Sequence, residues 1–504
     1  MSAGASAVDR RWVGLTFLLL FLPRAIYALE EVAYIHPDVL GQAIEPAYRA
    51  VHGAGRVSWE FTQGVRSWIW PGVLTPIFWL CEAFGLSGPG IGTRVPLVGV
   101  NLLCAAIDAF AWAFVAWVGA TAVFDDPRVQ RRARWTTVGL GATQAMWLLP
   151  GSQAIIGVPA GAALAVAGAL SLRRWRGRPA RRFESFATGA ALAATLLLRI
   201  QLAPVVAFAG LLVLHALRTK SPPSPGRSAS PLAELFAGAV LVAAVFGLVD
   251  WITWGAPWAS TLRYLEFSFT RSDEVFGRMP ADRYFVHAWS VGSVGFVLIV
   301  LAALAQLRSH WPLALIPLVA FLPHQLVGQK QLHFLHPLGP WLGLAAAATW
   351  AQLYASLAPR LSPAMRRAAD GLIALALLLG GATGALEGSY WKSTWLFHQG
   401  GEAAIARSRA LNRAYLQLAE APLAELRVAQ AVLPAAASPD MAHLGHPVPS
   451  IPLLEQTPDA RLGPADLLLT WGELPPASLP PGFRPRAPLG PIFVYTATRT
   501  SPSR

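Results

Sequence analysis

The stretch HPDVLGQAIEPAYR, residues 36 to 49, gathers side chains able to move protons and hold a hydroxylated ligand: His36, Asp38, Gln42 and Glu45. Trp59, Glu60 and Arg66 follow within twenty residues. On a helix opened by Pro37, Asp38 and Gln42 stand at i and i+4 and share a face. Glu45 comes next at i+7, where Pro46 biases its backbone away from helical geometry. An aspartate in this position can take the proton from a hydroxyl as a general base. It can also cap the helix, accepting one of the first unpaired N–H groups.

Three further stretches carry polar groups at the ends of apolar runs. Arg199 ends one at LLLRIQLAP, Asp250 another at LVDWITWGAPW, and Lys330 and His333 lie in VGQKQLHFLHPLGP between two more. Cations there can snorkel to lipid headgroups or bind a lipid phosphate, Arg through its fork and Lys as a point charge. His324, His333 and His336 raise the question of a metal, but no paired acidic ligand stands near them in sequence and none is predicted. Asp108 is the one acid inside a long apolar run.

These residues have to be positioned by elements suited to lipid. The chain is 54% hydrophobic with 20 Trp and only 13% charged residues, the composition of an integral membrane protein. Runs long enough to cross about 30 Å, roughly 20 residues each, recur along it. They predict about eleven spans, near residues 12–29, 94–124, 135–150, 154–171, 185–199, 200–217, 232–251, 288–307, 311–327, 334–355 and 368–386. The basic clusters at 125–134, 173–182, 217–227 and 360–367 then share one face with Arg10 and Arg11, which the positive-inside rule makes cytoplasmic. The net charge of +13 is thereby explained by topology, and no nucleic-acid partner is expected. The first span is expected to remain uncleaved, since no small-residue cleavage site follows it.

The opposite face receives the loop 30–93, turns near 151, 200 and 330, the loop 252–287 and everything after 386. Within the first loop, SWIWPGVLTPIFWLCEAFGL (67–86) must not cross, or every later loop would invert; it is expected to lie in the interface or re-enter. Residues 1–386 form the predicted membrane module. Residues 387–504, with the amphipathic EAAIARSRALNRAYLQLAEA (402–421) and short runs such as DLLLTW and IFVYTAT, form a small predicted α/β domain outside the membrane. With no N-glycosylation sequon, a bacterial inner membrane with a periplasmic site is favoured over the endoplasmic reticulum and its lumen.

Together these stretches resemble the family 22 glycosyltransferases, membrane mannosyltransferases of N-glycan and GPI-anchor assembly and their bacterial relatives. His36-Pro37-Asp38, then Gln42, Glu45 and Pro46, then Trp59-Glu60 and Arg66-Ser67 keep the family's order. LVDWITWGAPW and GQKQLHFLHPLGP are similar to two later family segments. The resemblance implies a GT-C fold, an all-α polytopic bundle whose outer loops hold a sugar donor linked to a polyprenyl phosphate. It implies inverting transfer to a hydroxyl of a lipid-linked or envelope glycan, without a cofactor. The family's catalytic aspartate falls on Asp38. Lys330 and Arg199, assisted by His333, would face the lipid phosphate; His36, Gln42, Glu45, Trp59, Glu60, Arg66 and Asp250 would bind substrate.

The chain departs from the family pattern in its charges. Val39 stands where a Glu follows the aspartate, Gln329 and Gln331 replace a His and a Glu, His333 replaces an Arg, and Gln153 replaces another. These losses suggest an altered donor or acceptor, and leave open a non-catalytic relative. A lipid-linked glycan transporter is the other alternative, though its polar groups should gather near the midplane.

Overall fold

The computed structural model describes residues 3–30, 37–53, 57–86, 91–144, 147–148, 151–178, 183–219, 230–273, 278–328, 330, 332–372 and 375, and the five strands of the C-terminal region. The chain divides into two compact units: residues 1–29, 63–69 and 101–393, and residues 30–62, 70–100 and 394–504.

The first unit is helical. It contains α1 (Ala3–Glu30), α5 (Pro127–Thr143), α6 (Gly157–Trp175), α7 (Glu184–Leu198), α8 (Ala203–Thr219), α9 (Pro231–Trp254), α10 (Ala259–Thr270), α11 (Arg283–Ser309), α12 (Trp311–Leu326) and α13 (Gly339–Leu357). The greater part of α4 (Ile91–Phe114) belongs to it as well, and continues through a π turn to Val123. Among the described residues four helices are long and apolar enough to cross a membrane: Trp12–Leu29, Arg94–Val123, Ile200–Thr219 and Pro231–Trp254. Shorter apolar helices fall at Glu184–Leu198, Val297–Ser309 and Trp311–Leu326.

The span expected at 135–150 is displaced. Asp126 caps α5, its carboxylate accepting from the Arg128 N–H at 2.7 Å, and Pro127 occupies the first turn, where its missing N–H costs nothing. The helix therefore begins inside the basic cluster and ends before Gln144, whose backbone is extended. Most of the span expected at 368–386 lies outside the described residues.

Ion pairs show which ends of the helices lie together. Asp125 pairs with Arg176 and Arg178, and Arg132 with Asp370, so the basic clusters at 125–134 and 173–182 and the helical turn after the cluster at 360–367 share one end of the bundle. At another place Gly157 receives Arg199 and the backbone of His333, bringing together segments assigned to the outer face.

Glycines set the helix spacing. Trp112 is wholly buried, and a Cβ on Gly141 or Gly343 would fall 2.6 Å from its ring. Between α7 and α9 the approach is backbone to backbone: a Cβ on Gly189 would lie 1.8 Å from the Leu235 carbonyl oxygen, and one on Gly238 2.1 Å from that of Phe186. Small residues of this kind let helices associate in lipid, where apolar burial alone gives no drive.

The second unit holds a helical turn at Pro37–Val39, a π turn at Leu40–Ile44, α2 (Glu45–His52) and α3 (Ile69–Ala83). The 15 residues of α3 rise about 22 Å, short of a bilayer core, and Pro76 interrupts their hydrogen bonding. The strands Arg427–Gln430 (β1), Ser450–Pro452 (β2), Asp466–Thr470 (β3), Phe483–Pro485 (β4) and Phe493–Ala497 (β5) form one sheet in the order β2-β1-β3-β5-β4. β1 is parallel to β2 and β3, with Val428 opposite Ser450 and Leu467; β5 is antiparallel to β3 and β4. The amphipathic stretch 402–421 lies outside the described residues.

Gly238→Ala should force α7 and α9 apart and cost about 1–3 kcal/mol as an overpacked contact. Gly210→Ala, where nothing lies within 4 Å, is the control. Thermal unfolding in detergent should show a lowered midpoint for the first and an unchanged one for the second.

Candidate active site

Pro46 shapes the segment that follows the first span. A proline in a regular helix clashes with the carbonyl four residues back, here that of Gln42. The chain responds by widening: the Glu45 N–H reaches back five residues to the Leu40 carbonyl. Glu45 itself keeps helical angles, φ −60° and ψ −43°, contrary to the bias expected before a proline; the wider turn removes the clash instead. Asp38 lies half-buried in the turn ahead of this element. Gln42 donates to Glu60 Oε1 at 2.8 Å and the Ser58 hydroxyl to the Gly41 carbonyl at 3.0 Å, so the Trp59-Glu60 turn folds back on the π turn. Glu45 and Glu60 are buried and Trp59 is exposed; His36 lies outside the described residues.

Behind these residues Tyr48 stacks on His52 with ring centroids 4.1 Å apart. Burial, then the carboxylates of Glu45 and Glu82, push the Tyr48 hydroxyl above its ordinary pKa, so it stays a donor. Burial lowers the pKa of His52, against the pull of Glu82 at 3.9 Å.

In the helical unit Arg199 sits at a break. It ends α7 with extended backbone, φ −150° and ψ 92°, and a 3-10 turn, Ile200–Leu202, then leads into α8, whose second residue, Pro204, sits where a proline is tolerated. Arg199 is 5% exposed, and its guanidinium lies 4.9 Å from the Phe334 ring. Phe334 meets His333 edge-on at 4.5 Å, and His324 is buried beside them. Leu332–Leu338, which carries both, is a 3-10 helix containing Pro337, and α13 begins only at Gly339-Pro340.

Two residues not singled out in the sequence extend this region. Gln201 donates to the Tyr264 hydroxyl, and the Tyr264 ring lies under the Arg66 guanidinium at 4.7 Å. Trp254 Nε1 donates to the Arg66 carbonyl at 3.1 Å. Neither Gln201 nor Tyr264 stands in a motif, and only the contact across 63 residues reveals them.

Lys330 is buried, its ammonium donating to the Val327 carbonyl at 2.9 Å. Burial lowers its pKa, Arg278 adds to the effect and Asp273 opposes it. Asp250 is used locally: Oδ2 accepts from the N–H and hydroxyl of Ser260, at 2.9 and 2.6 Å, holding the turn into α10. Its Oδ1 has no hydrogen-bond partner among the described residues.

Asp108 belongs to a buried ion cluster. Arg24 Nε donates to Oδ2 at 2.6 Å and His336 Nε2 lies 2.9 Å from Oδ1. Arg24 also donates to the carbonyls of Leu20 and Gly141. All three residues are at most 2% exposed.

A family model for Alg9-like mannosyltransferases matches residues 15–387. The chain belongs to the Alg9-like mannosyltransferase family. It is 26% identical over 333 residues to GPI mannosyltransferase 3 of Yarrowia lipolytica, 64% of this chain and 60% of that protein. It therefore spans less than two thirds of that relative. With the mannosyltransferase APTG1 of Arabidopsis thaliana it shares 29% identity over 96 residues, 19% of this chain and 18% of that one. The solved structure of ArnT from Cupriavidus metallidurans bound to undecaprenyl phosphate covers 99% of both chains, with TM-score 0.57 and 14% identity. That likeness establishes the GT-C fold expected from the sequence.

Asp108→Ala would strand the Arg24 charge in the bundle and should cost about 3–5 kcal/mol, as for other broken buried pairs. The double variant Arg24→Met, Asp108→Leu removes both charges and should recover most of that loss. Chemical or thermal unfolding of the solubilised proteins measures the difference.

Proposed function

We propose that the chain transfers a mannosyl group from a polyprenyl-phosphate donor to a hydroxyl of a lipid-linked or envelope glycan, inverting the anomeric carbon. Family membership over residues 15–387, with Asp38 retained in the His-Pro-Asp motif, carries this reading. Asp38 takes the proton from the acceptor hydroxyl as its oxygen bonds to the anomeric carbon. The bond from that carbon to the phosphate oxygen breaks, and its electron pair leaves with the lipid phosphate. Arg199 and Lys330 stabilise the charge developing there, with His333 assisting. Gln42, Glu45, Trp59 and Glu60 shape the acceptor side; His36, Arg66 and Asp250 complete the binding set. The undecaprenyl phosphate in the ArnT structure supports a lipid phosphate as the carrier class. The active face is periplasmic in a bacterial inner membrane, the endoplasmic reticulum lumen being the alternative.

A transporter would need a polar group open to its cargo near the midplane. Asp108, the acid within a span, is committed to Arg24 and His336 rather than open to a transported ion.

Asp38→Asn should lower sugar transfer from polyprenyl-phosphate-mannose by about 10²–10⁴-fold, the usual contribution of a general base, with an unchanged unfolding midpoint. A chelator should leave wild-type transfer intact. Equal transfer by mutant and wild type would remove Asp38 from the mechanism.

Because burial lowers the Lys330 pKa, its charge is lost at lower pH than that of a free lysine. Donor binding should therefore weaken as pH rises toward the usual lysine range. Lys330→Arg, whose guanidinium stays charged, should move that limb to higher pH in a titration of donor KM.

A further inference from the structure

We propose that Arg24, Asp108 and His336 form a positioning network for the lipid-phosphate side of the site, holding the 3-10 segment Leu332–Leu338 in register with Arg199. The inference rests on the proposed reading of Arg199 as a phosphate ligand.

Three observations carry it. The 3-10 segment has seven residues, longer than such helices usually run on their own hydrogen bonds, and Pro337 removes one donor from it. It needs an anchor from outside, and its His336 is fixed to Asp108 at 2.9 Å. Asp108 is in turn fixed by Arg24, which also grips two backbone carbonyls, so the anchor reaches α1 and α5.

The second observation is convergence. The space beside Gly157, at the start of α6, is bounded by Arg199 Nη1, the His333 carbonyl and His336 Cβ, 3.4, 3.5 and 3.6 Å from where a Cβ would stand. The residue held by Asp108 and the cation assigned to phosphate thus pack against the same glycine. Phe334, two residues before His336, lies under the Arg199 guanidinium.

The third is cost. An ion cluster within a membrane bundle is no more stabilising than well-packed apolar side chains of similar volume, so stability alone gives little reason for it. What apolar packing cannot supply is a directed bond to one ring nitrogen. Gly151 fits this design, since a Cβ there would come 2.4 Å from Asp108 Oδ2 and push the carboxylate off its partners.

The experiment compares full-length variants in lipid nanodiscs by undecaprenyl phosphate binding, followed by native mass spectrometry, and by the KM and kcat of transfer. Arg24→Met with Asp108→Leu keeps the fold but releases His336. It should bind undecaprenyl phosphate about 10- to 100-fold more weakly, through raised KM more than lowered kcat, as expected for a misplaced binding group. His336→Gln, whose amide nitrogen can occupy the Nε2 position, should bind within a few-fold of wild type, whereas His336→Ala should match the double variant. Arg199→Ala tests the underlying reading. If it binds normally, the phosphate is not held there and the proposed function fails on that point. If it loses binding while the double variant and His336→Ala keep wild-type affinity, the network is structural and this inference alone is overturned.

Discussion

A carboxylate inside an apolar bundle has to be matched, and the match made for Asp108 organises the helical unit. Its two oxygens are taken by Arg24 from α1 and His336 from the segment before α13, so three distant parts of the chain share one electrostatic commitment. An ion left alone there costs several kcal/mol, which makes each partner a condition for the others. The packing around the cluster follows the same economy of space. Trp112, one helical turn from Asp108, is enclosed by Gly141, Gly339 and Gly343, and Trp341 fills the notch at Gly168. Glycine at these places lets backbone approach large rings without opening a gap that lipid or water would fill.

The candidate site residues lie where helices break, and proline stands at or near most of the breaks. A continuous helix fixes its side chains outward along a cylinder, and a break frees the residues beside it from that direction. Pro46 follows the π turn Leu40–Ile44, a 3-10 turn separates the extended Arg199 from Pro204 in α8, and Pro337 and Pro340 lie on or just after the 3-10 segment that carries His333 and Phe334. Irregular backbone of this kind is tolerated near lipid only where protein surrounds it, and Arg199, Lys330 and His333 are all buried.

Much of this was legible in the sequence because polarity at the end of an apolar run is a local signal. The buried polar residues Arg199, Asp250, Lys330 and His333 stand out for that reason, and of the basic clusters expected on one face those at 125–134 and 173–182 meet through Asp125. What could not be read was pairing across distance. Arg24 places a charge inside the apolar run of the first span, yet α1 runs through it to Glu30, and that charge is met by a residue 84 positions away. Gln42 was placed with Asp38 by helical spacing, but its hydrogen-bond partner is Glu60, on another turn. The start of α5 was missed because hydropathy favours the apolar window, while the capping carboxylate of Asp126 sets the boundary.

The altered charges of the outer turns acquire a meaning in the proposed reaction. A sugar linked to a polyprenyl phosphate is a phosphodiester with one negative charge, and the phosphate released carries close to two. Groups that stabilise the second charge more than the first accelerate transfer; groups that bind both equally only tighten the donor. With Gln153, Gln329, Gln331 and His333 in place of charged family residues, the fixed cations left among these positions and Arg199 are Arg199 and Lys330. Arg199 is always protonated, whereas the Lys330 ammonium is weakened by burial and tied to a backbone carbonyl. Such a lysine gains most from an anion nearby, since the second phosphate charge favours its protonated form. Lys330, weakened by burial and by Arg278, is therefore the cation whose proton responds most to the charge that the proposed reaction would create.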